Sequence, residues 1–355
     1  MIKILHSADW HLDTPFVQRG DAQADMLRRA LLQIPEKLAD LCRKENCDLV
    51  LLSGDLFDGP YTKESYLAVY KALSDMAVPV FISPGNHDFC APGSPYLTEV
   101  WPENVHIFTR DTIESLALPD LDCRIYGAGY RSMDCDGLLE GFRAQGDEAH
   151  HFAVLHADPM QKNSPYCPIS ENQVRRSALD YLALGHIHKA GSFRAGGTLC
   201  AWPGCPMGRG FDELEEKGAY IVTVDNGVRV SFVSLDTPRF YRLSVPAGYD
   251  AQAALDAVLP AVGSRDLYQI ELTGESPGVD MDTLTRQFSR FPNLEIKDRT
   301  VPETDIWANA GTDSLEGLYF DMLRQAMDNG TDPRIVTLAA RISRQLLDGQ
   351  EVVLP

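Results

Sequence analysis

The sequence has no apolar run that reaches the roughly 18 residues needed to span a membrane. It also has no Gly/Ser-rich tract, no block of like charges and no internal repeat, which argues against a low-complexity or repeat protein. Its first residues, Met1–Leu5, show none of the regions of a secretory signal peptide. We therefore expect a globular cytoplasmic protein without a membrane partner.

Cysteine never occurs in the C-x-x-C spacing that is typical of a structural zinc site or a redox pair. The eight cysteines are scattered over positions 42, 47, 90, 123, 135, 167, 200 and 205. Their even number would allow disulfides, but a chain without a signal peptide is expected to keep its thiols reduced. A buried core must then hold the fold together, and a hydrophobic content of 44% in 355 residues is enough for one.

Basic residues are scarce relative to acidic ones. The 32 lysines and arginines face 51 acidic residues, which gives a formal net charge of −19. Such a charge argues against a surface that coats DNA broadly. It does not exclude a nucleic-acid substrate, because two bound divalent cations would bring about four positive charges to their own site.

The order of apolar segments predicts an α/β fold with two sheets in a sandwich flanked by helices, followed by a small α+β cap domain. We place the domains at residues 1–238 and 239–355, because the pattern restarts near Asp236. The predicted strands are Ile2–Leu5, Leu49–Leu52, Val80–Ile82, Phe152–Leu155, Tyr181–Leu184, Thr198–Ala201, Ala219–Val224, Val228–Leu235, Tyr241–Val245, Leu267–Leu272 and Leu294–Lys297. The predicted helices are Gln23–Asn46, Glu64–Ala77, Ala251–Val262, Met281–Arg290, Ser314–Met327 and Pro333–Leu347.

Two local signals refine this prediction. Pro35 lies inside the first predicted helix and should kink or split it, because proline cannot donate a helical hydrogen bond. Asp225-Asn226-Gly227 separates two apolar segments and predicts a hairpin. The short strands after Gly185 lack long helices between them, and we expect them to form a second sheet packed on the first.

Metal-competent side chains follow five consecutive predicted strands. They are Asp9 and His11 after the first, Gly54-Asp55-Leu56-Phe57-Asp58 after the second, Gly85-Asn86-His87-Asp88 after the third, His156 after the fourth and Gly185-His186-Ile187-His188 after the fifth. If these strands are parallel or share an edge, the side chains meet in one crevice at the carboxyl ends, where open α/β sheets bind ligands.

Each motif alone has an ordinary structural explanation. Asp9 and His11 would fit a solvated loop, and His156 would fit a hydrogen-bonded core histidine. The run Asn86–Asp88 would fit a turn. Their joint occurrence after five strands is what indicates a metal site, since five of the nine histidines lie in these motifs. Carboxylate, imidazole and amide ligands without thiolate suit Mn²⁺, Fe²⁺ or Zn²⁺.

The motif order resembles the calcineurin-like metallophosphoesterase superfamily, whose signature is D-x-H, GD-x-x-D, GNH-D/E, a histidine and G-x-H. All five elements occur in order between residues 9 and 188. The resemblance implies a four-layer fold, a two-metal phosphoesterase and two divalent ions, with Mn²⁺ expected first and Fe²⁺ or Zn²⁺ as alternatives. It implies that Asp9, His11 and His188 bind one ion, that Asn86, His156 and His186 bind the other, and that Asp55 bridges them.

These implied roles agree with two-metal chemistry. A shared carboxylate such as Asp55 brings two cations to about 3.5–4 Å, where they stabilise the attacking and leaving oxygens and supply hydroxide near neutral pH. In the family, the histidine matching His87 is not a ligand. It is expected to protonate the leaving oxygen or stabilise the phosphoryl charge, with Asp88 as its orienting partner. Asp58 is expected to support the first metal through His11 or a water.

The run Leu51–Asp58 looks like the SbcD-type DNA double-strand-break repair nucleases, as do Trp202–Gly204 and Phe211–Glu213 and the cap after Phe240. This resemblance implies a DNA exo/endonuclease subunit, an SMC-like ATPase partner and a homodimer. Two positions depart from that pattern: some members have a histidine in place of Asp58, and the family's serine after Pro-Gly is replaced here by Cys205. They leave the substrate open.

Three functions remain in competition: the DNA nuclease, a phosphodiesterase or phosphatase for nucleotides or other small phosphoesters, and a scaffold with a relict metal site. Intact motifs argue against the scaffold. A nuclease would need a local basic patch, and the candidates are Arg131, Lys162, Arg175, Arg176, Lys189, Arg194 and Arg209. Residues 157–169 are expected to form a loop beside the site that shapes substrate entry, or else a plain connector.

Overall fold

The computed structural model describes residues 1–17, 19–214, 216–302 and 305–349. The strands are β1 Ile2–Ser7, β2 Leu49–Leu52, β3 Val80–Ile82, β4 Val105–Ile107, β5 Glu114–Leu118, β6 Cys123–Gly127, β7 His150–His156, β8 Tyr181–Gly185, β9 Gly191–Ala195, β10 Thr198–Trp202, β11 Gly218–Val224, β12 Val228–Ser234, β13 Phe240–Pro246, β14 Leu267–Thr273, β15 Glu275–Ser276, β16 Leu294–Asp298 and β17 Val301–Pro302. The helices are α1 Asp21–Leu32, α2 Ile34–Glu45, α3 Lys63–Met76, α4 Pro95–Thr98, α5 Glu171–Arg176, α6 Ala251–Val258, α7 Met281–Gln287, α8 Leu315–Asp328 and α9 Pro333–Leu347.

Two six-stranded sheets dominate the fold. The first has the order β12-β11-β1-β2-β3-β4, and the second has the order β5-β6-β7-β8-β10-β9. Strands β1 to β4 run parallel, and β11 joins β1 antiparallel. In the second sheet β6, β7, β8 and β10 run parallel between antiparallel edges. Smaller sheets have the orders β13-β14-β16 and β15-β17.

The two faces of each large sheet belong to different buried clusters, because successive side chains of a strand point to opposite faces. Ile4 and Leu51 of the first sheet share a buried cluster with Phe152 of the second, so these faces pack on each other. The opposite face of the first sheet packs on α1 to α3 in a separate cluster. The opposite face of the second packs with Leu155 against Val174 of α5. The predicted two-sheet sandwich flanked by helices is therefore confirmed.

Pro35 divides the first helical stretch as its chemistry requires. Helix α1 ends at Leu32 and α2 begins at Ile34, with Pro35 in its first turn, where no intrahelical donor is needed. Asn46 ends α2 in a left-handed conformation with φ 51°, which short polar side chains tolerate. The predicted split is confirmed.

The prediction of sheet membership needs correction. We expected the strands after Gly185 to form the second sheet, but β11 and β12 extend the first sheet beside β1. The second sheet contains β10, as expected, but it also contains β7 and β8, together with β5, β6 and β9, which the sequence analysis did not predict. Apolar periodicity identifies which face of a strand is buried, but it does not identify the strand's neighbour.

The chain forms two compact units. Unit 1 comprises Met1–Leu243, Gly263–Gln269 and Phe291–Glu295, and unit 2 comprises Ser244–Val262, Ile270–Arg290 and Ile296–Pro355. The boundary at residues 238/239 stays a prediction.

Unit 2 contains helices α6 to α9 and has a small apolar cluster of Ile306, Phe320 and Ala340. Arg344 of α9 lies 4.4 Å from the Phe320 ring centroid and pairs with Glu316 of α8. Within the described ranges, no helix is long and apolar enough to cross a membrane.

We expect Phe152→Ala to destabilise the protein by about 3–5 kcal/mol, because it opens a cavity between the two sheets where Phe152 is fully buried. Leu116→Ala on β5 of the same sheet is the control, since Leu116 is 40% exposed. Urea unfolding with EDTA present measures both variants. Equal shifts in midpoint would contradict the described core.

Candidate metal centre

Aligned strand ends bring the candidate ligands together. In the first sheet Ser7 of β1 pairs with Leu52 of β2, and Leu52 pairs with Ile82 of β3, so the three carboxyl ends are level. In the second sheet His156 at the end of β7 pairs with Gly185 of β8. Both sheets therefore supply ligands at one end of the sandwich, whereas the sequence analysis considered a single shared edge.

The loops that carry the ligands have unusual backbone conformations. Asp9, His11, Asp55 and His186 have φ values of 54°, 49°, 53° and 85°. Non-glycine residues seldom adopt such values, which cost of order 1–3 kcal/mol each and cluster at functional sites. Hydrogen bonds hold them: the Asp9 amide donates to Gly54 O at 3.0 Å, and the His186 amide donates to the Asp9 carboxylate at 3.0 Å.

The first ligand cluster contains Asp9, His11 and His188, whose potential ligand atoms lie within 4.8 Å of one another. His11 Nε2 is 3.1 Å from His188 Nε2, and His188 Nε2 is 3.9 Å from Asp9 Oδ1. His188 Nδ1 donates to Glu213 Oε1 at 2.7 Å, which leaves its Nε2 as an acceptor facing His11. Converging lone pairs of this kind are arranged for a cation.

The second ligand cluster centres on His156. His156 Nδ1 donates to Ser53 O at 2.8 Å, so its Nε2 is an acceptor. This Nε2 is 2.9 Å from Asn86 Oδ1 and 3.4 Å from Asp55 Oδ2, and both of these oxygens are acceptors too. The His186 ring centroid is 5.3 Å from that of His156. Facing acceptors repel one another unless a cation shares their lone pairs.

Burial favours the uncharged form of both the carboxyl groups and most of the imidazoles, because it penalises charge. It raises the pKa of Asp9, and with the nearby Asp88 charge it raises the pKa of Asp55 to about 7. It lowers the pKa of His11 to about 3 and that of His186 to about 4. Burial thus favours the neutral imidazoles of His11 and His186, the form that metals require, whereas the contact with Glu213 raises the pKa of His188.

Asp55 belongs to both ligand groups. Its Oδ2 is 3.8 Å from His11 Nε2 and 3.4 Å from His156 Nε2, while its Oδ1 accepts from the His87 amide at 2.9 Å. One carboxylate between two imidazole groups fits two divalent ions. These features define an α/β protein with two adjoining groups of potential metal-binding side chains at the carboxyl ends of its strands.

His87 is exposed beside the ligands and contacts a different acid from the one we expected. Its Nδ1 is 2.8 Å from Asp58 Oδ1, and the resulting hydrogen bond raises the pKa of His87. Asp58 Oδ1 is also 3.4 Å from His11 Nδ1. Asp88, the expected orienting partner, is turned away, because it accepts from the amides of Leu56 and Gly85 at 2.7 and 2.8 Å.

Some residues that support the site were missed by sequence reasoning. Glu213 orients His188, and Asp158 Oδ2 lies 4.0 Å from His186 Nε2. Tyr96 donates its hydroxyl to Asp88 Oδ2 at 2.6 Å and so helps to hold the third motif. Glu213 lies in a run that carried the family resemblance, but its spacing from His188 indicated no contact. Asp158 is two residues after His156 and had a weak local signal.

Residues 157–169 form an irregular segment between β7 and α5 that lies beside the site. The Tyr166 ring centroid is 4.7 Å from that of His186. Of the seven basic candidates, Arg209 and Lys189 line cavities next to the ligands. Arg175 and Arg176 are exposed on α5, and Arg194 donates to Val228 O.

Comparison with known proteins identifies the family. Residues 2–190, which include every candidate ligand, match the family described as calcineurin-like phosphoesterase. This match covers more than half of the chain. The chain therefore belongs to the calcineurin-like phosphoesterase family, and membership implies divalent metal ions at the clusters described above.

Curated relatives match over part of their length. An uncharacterized metallophosphoesterase of Bacillus subtilis, YhaO, is 31% identical over 242 residues, which is 64% of this chain and 58% of the relative. The DNA double-strand break repair protein Mre11 of Sulfurisphaera tokodaii is 25% identical over 67% of this chain and 64% of the relative. A subunit of the nuclease SbcCD of Bacillus subtilis is 24% identical over 60% of this chain and 63% of the relative. The match thus spans less than two thirds of the length of each of these relatives.

Solved structures also match this chain. TT1561 of Thermus thermophilus covers 65% of this chain and 98% of its own, with 14% identity and a TM-score of 0.41. A dimetal phosphatase from Danio rerio covers 65% of this chain and 96% of its own, with 11% identity and a TM-score of 0.44.

We expect His87→Ala to retain both metals while turnover falls by about 10²–10⁴-fold, because the variant removes a proton donor but none of the proposed metal ligands. Asp55→Asn is the contrasting variant and should lose metal as well as activity. Metal content by atomic emission and hydrolysis of bis-p-nitrophenyl phosphate are measured on the same preparations. Equal metal loss in the two variants would refute the separation of roles.

Glu213→Gln should weaken metal binding by about 10–100-fold, because the amide removes the negative charge that holds the His188 Nδ1 proton. Glu216→Gln is the matched control, since Glu216 is exposed and pairs with Arg239. Isothermal titration of the metal-free proteins with Mn²⁺ gives the affinities. Unchanged binding by Glu213→Gln would mean that Glu213 does not set the orientation of His188.

Proposed function

We propose that the protein is a two-metal phosphodiester hydrolase and that its natural substrate is DNA. In this proposal Asp9, His11 and His188 bind one ion, Asn86, His156 and His186 bind the other, and Asp55 bridges the pair. Mn²⁺ is the proposed ion, with Fe²⁺ and Zn²⁺ as alternatives that the same ligand chemistry accepts.

The observation that carries the proposal is the position of Asp55 between two groups of acceptor atoms. Its Oδ2 lies 3.8 Å from His11 Nε2 and 3.4 Å from His156 Nε2. When bound, two divalent ions supply Lewis acidity and lower the pKa of water towards neutrality, which is the chemistry that phosphoester hydrolysis needs. The family match supports the same assignment.

The residues around the ligands supply a proton. His87 Nδ1 is hydrogen-bonded to Asp58 Oδ1, and this contact holds the proton on Nδ1 and leaves Nε2 available. The same contact raises the pKa of His87, so a larger fraction of this ring carries the second proton than in a free histidine. It can then donate its Nε2 proton to the leaving oxygen of the ester, or stabilise the phosphoryl charge.

DNA is proposed as the substrate because two groups of relatives are named as DNA break repair proteins or nuclease subunits. On the same analogy we propose an SMC-like ATPase and a second copy of the chain as partners. The alternative is a phosphodiesterase or phosphatase for nucleotides or other small phosphoesters. The net charge of −19 favours this alternative, since it repels long polyanions.

A substrate panel with Mn²⁺ separates the two functions: end-labelled linear DNA, single-stranded DNA and bis-p-nitrophenyl phosphate. DNA affinity is measured between 50 and 200 mM salt, with Ca²⁺ in place of Mn²⁺ to slow cleavage. A duplex held by three to five phosphate contacts should give a slope of log K against log[salt] of roughly −3 to −5.

The outcomes point in different directions. Hydrolysis of all three substrates with a steep salt slope supports the nuclease. A slope near zero with rapid hydrolysis of bis-p-nitrophenyl phosphate replaces the nuclease by the small-phosphoester enzyme. No metal-dependent hydrolysis of any substrate would overturn both, and EDTA should abolish activity in either case.

A further inference from the structure

The cavity that Arg209 lines, next to the metal ligands, contains three arginines. It has a volume of about 580 Å³, within the range of small-ligand sites, and is open to solvent. Its lining residues are Thr14, Pro15, Phe16, Val17, Arg19, Arg209, Gly210, Phe211, Asp212, Glu213 and Arg242. All belong to unit 1. We refer to this cavity as the arginine pocket.

Aromatic rings hold two of the arginines. The guanidinium carbon of Arg19 is 5.0 Å from the Phe211 ring centroid and 5.5 Å from that of Phe240, and that of Arg242 is 6.0 Å from Phe211. Phe211 packs edge-on against Phe240 at 5.2 Å, so the support is itself fixed. Contact with a ring face leaves the in-plane N–H donors of a guanidinium free for a ligand.

The charges of these arginines are only partly neutralised. Among the residues that the structure describes, neither Arg19 nor Arg242 forms an ion pair with a carboxylate; Arg242 Nε donates to the neutral Gln269 at 3.0 Å. The carboxylates in the lining are Asp212 and Glu213, and Glu213 already binds His188. Three guanidinium groups thus line the pocket with two carboxylates, and the nearby charges of Glu213 and Asp58 act on Arg209 rather than on Arg19 or Arg242.

Arg209 is the third arginine, and one of its donors has no partner. Its Nη2 donates to Glu213 Oε1 at 3.3 Å. Its Nε is buried and, within the described ranges, has no hydrogen-bond partner. An unpaired buried donor of a charged group is costly, so an acceptor is expected in its neighbourhood.

The arginine pocket shares walls with the first ligand cluster. Thr14 donates to Asp58 Oδ2 at 3.0 Å, and Asp58 contacts His11. On the other side, Glu213 links Arg209 to His188. An anion in the pocket would therefore be separated by one side chain, Asp58 or Glu213, from the proposed metal ligands His11 and His188.

We propose that the arginine pocket binds a second phosphate of the substrate, one that is not hydrolysed. Guanidinium groups match phosphate oxygens in a bidentate manner, and a phosphate that adjoins the scissile one is present in a nucleic-acid strand but absent from a lone phosphoester. The pocket thus selects a strand over a small diester. This inference rests on the proposed phosphodiester hydrolase and specifies what its site prefers.

The test compares Arg19→Gln and Arg242→Gln with the wild type. Binding of fluorescein-labelled hexathymidylate is followed by anisotropy with Ca²⁺ in place of Mn²⁺. Each variant should bind about tenfold more weakly, the effect of one lost charged hydrogen bond, and its salt slope should be shallower by about 0.7 for a single strand. With Mn²⁺, the ratio of kcat/KM on hexathymidylate to kcat/KM on bis-p-nitrophenyl phosphate should fall by about the same factor.

Arg229→Gln is the control, because it changes the net charge equally at an exposed arginine that pairs with Asp225 in the β11–β12 turn. It should leave the affinity and the selectivity ratio unchanged. An equal loss of affinity in all three variants would mean that overall charge explains the effect, and it would overturn the proposed phosphate site. An unchanged selectivity ratio in Arg19→Gln and Arg242→Gln would also overturn it.

The binding measurement also separates this inference from the proposed function. If the wild type hydrolyses no phosphoester but Arg19→Gln and Arg242→Gln still weaken hexathymidylate binding, the hydrolase fails and the pocket stands. If bis-p-nitrophenyl phosphate is hydrolysed but neither variant changes binding or selectivity, the hydrolase stands and the pocket fails. Tight competition by thymidine monophosphate would also overturn the proposal, because one phosphate would then suffice.

Discussion

The structure depends on one electrostatic constraint: carboxylates are buried where the strands of both sheets end. Asp9 and Asp55 are each 1% exposed, and Asp55 lies beside His11 and His156, whose pKa values are lowered by burial. A buried carboxylate without a counter-charge is unfavourable by several kcal/mol. Metal ions relieve this cost, so binding of metal and stability of the site are linked. Asp9 and Asp55 both have positive φ values, and at Asp9 a hydrogen bond from its amide to Gly54 O holds this conformation.

Asp58 and Asp88 show how environment divides labour between similar side chains. Both follow a strand of the first sheet within a metal-binding motif. Asp88 is buried and receives backbone amides and the Tyr96 hydroxyl, so all its capacity serves to tie the second and third motifs together. Asp58 is reached by the rings of His11 and His87 instead. Asp88, the neighbour of His87 in sequence, therefore stabilises the loops, and the more distant Asp58 orients the His87 ring.

Much of the fold followed from local chemistry, and the rest depends on contacts between distant residues. Apolar runs located β1, β2, β3, β7 and β8, and Pro35 marked the division of α1 from α2. The polar residues after those strands were predicted as one group, which the structure brings together. The partner of β11 and the link between Glu213 and His188 could not be predicted, because nothing in a segment's own sequence specifies its neighbour. For the same reason the sequence analysis expected Asp88 to orient His87, whereas in the structure Asp58 is its hydrogen-bond partner.

Net charge alone does not decide whether this protein can bind a polyanion, because its charges are unevenly placed. Exposed pairs such as Lys71–Asp75 cancel one another at the surface and are screened by salt. The arginine pocket differs, since aromatic rings rather than carboxylates hold Arg19 and Arg242. A phosphate that reaches this pocket meets the guanidinium groups of Arg19 and Arg242, while exposed charges farther away than a Debye length of about 8–10 Å are largely screened. If the proposed function is right, the acidic remainder would disfavour nonspecific adhesion of polyanions, and substrate selection would fall to the pocket and the metals.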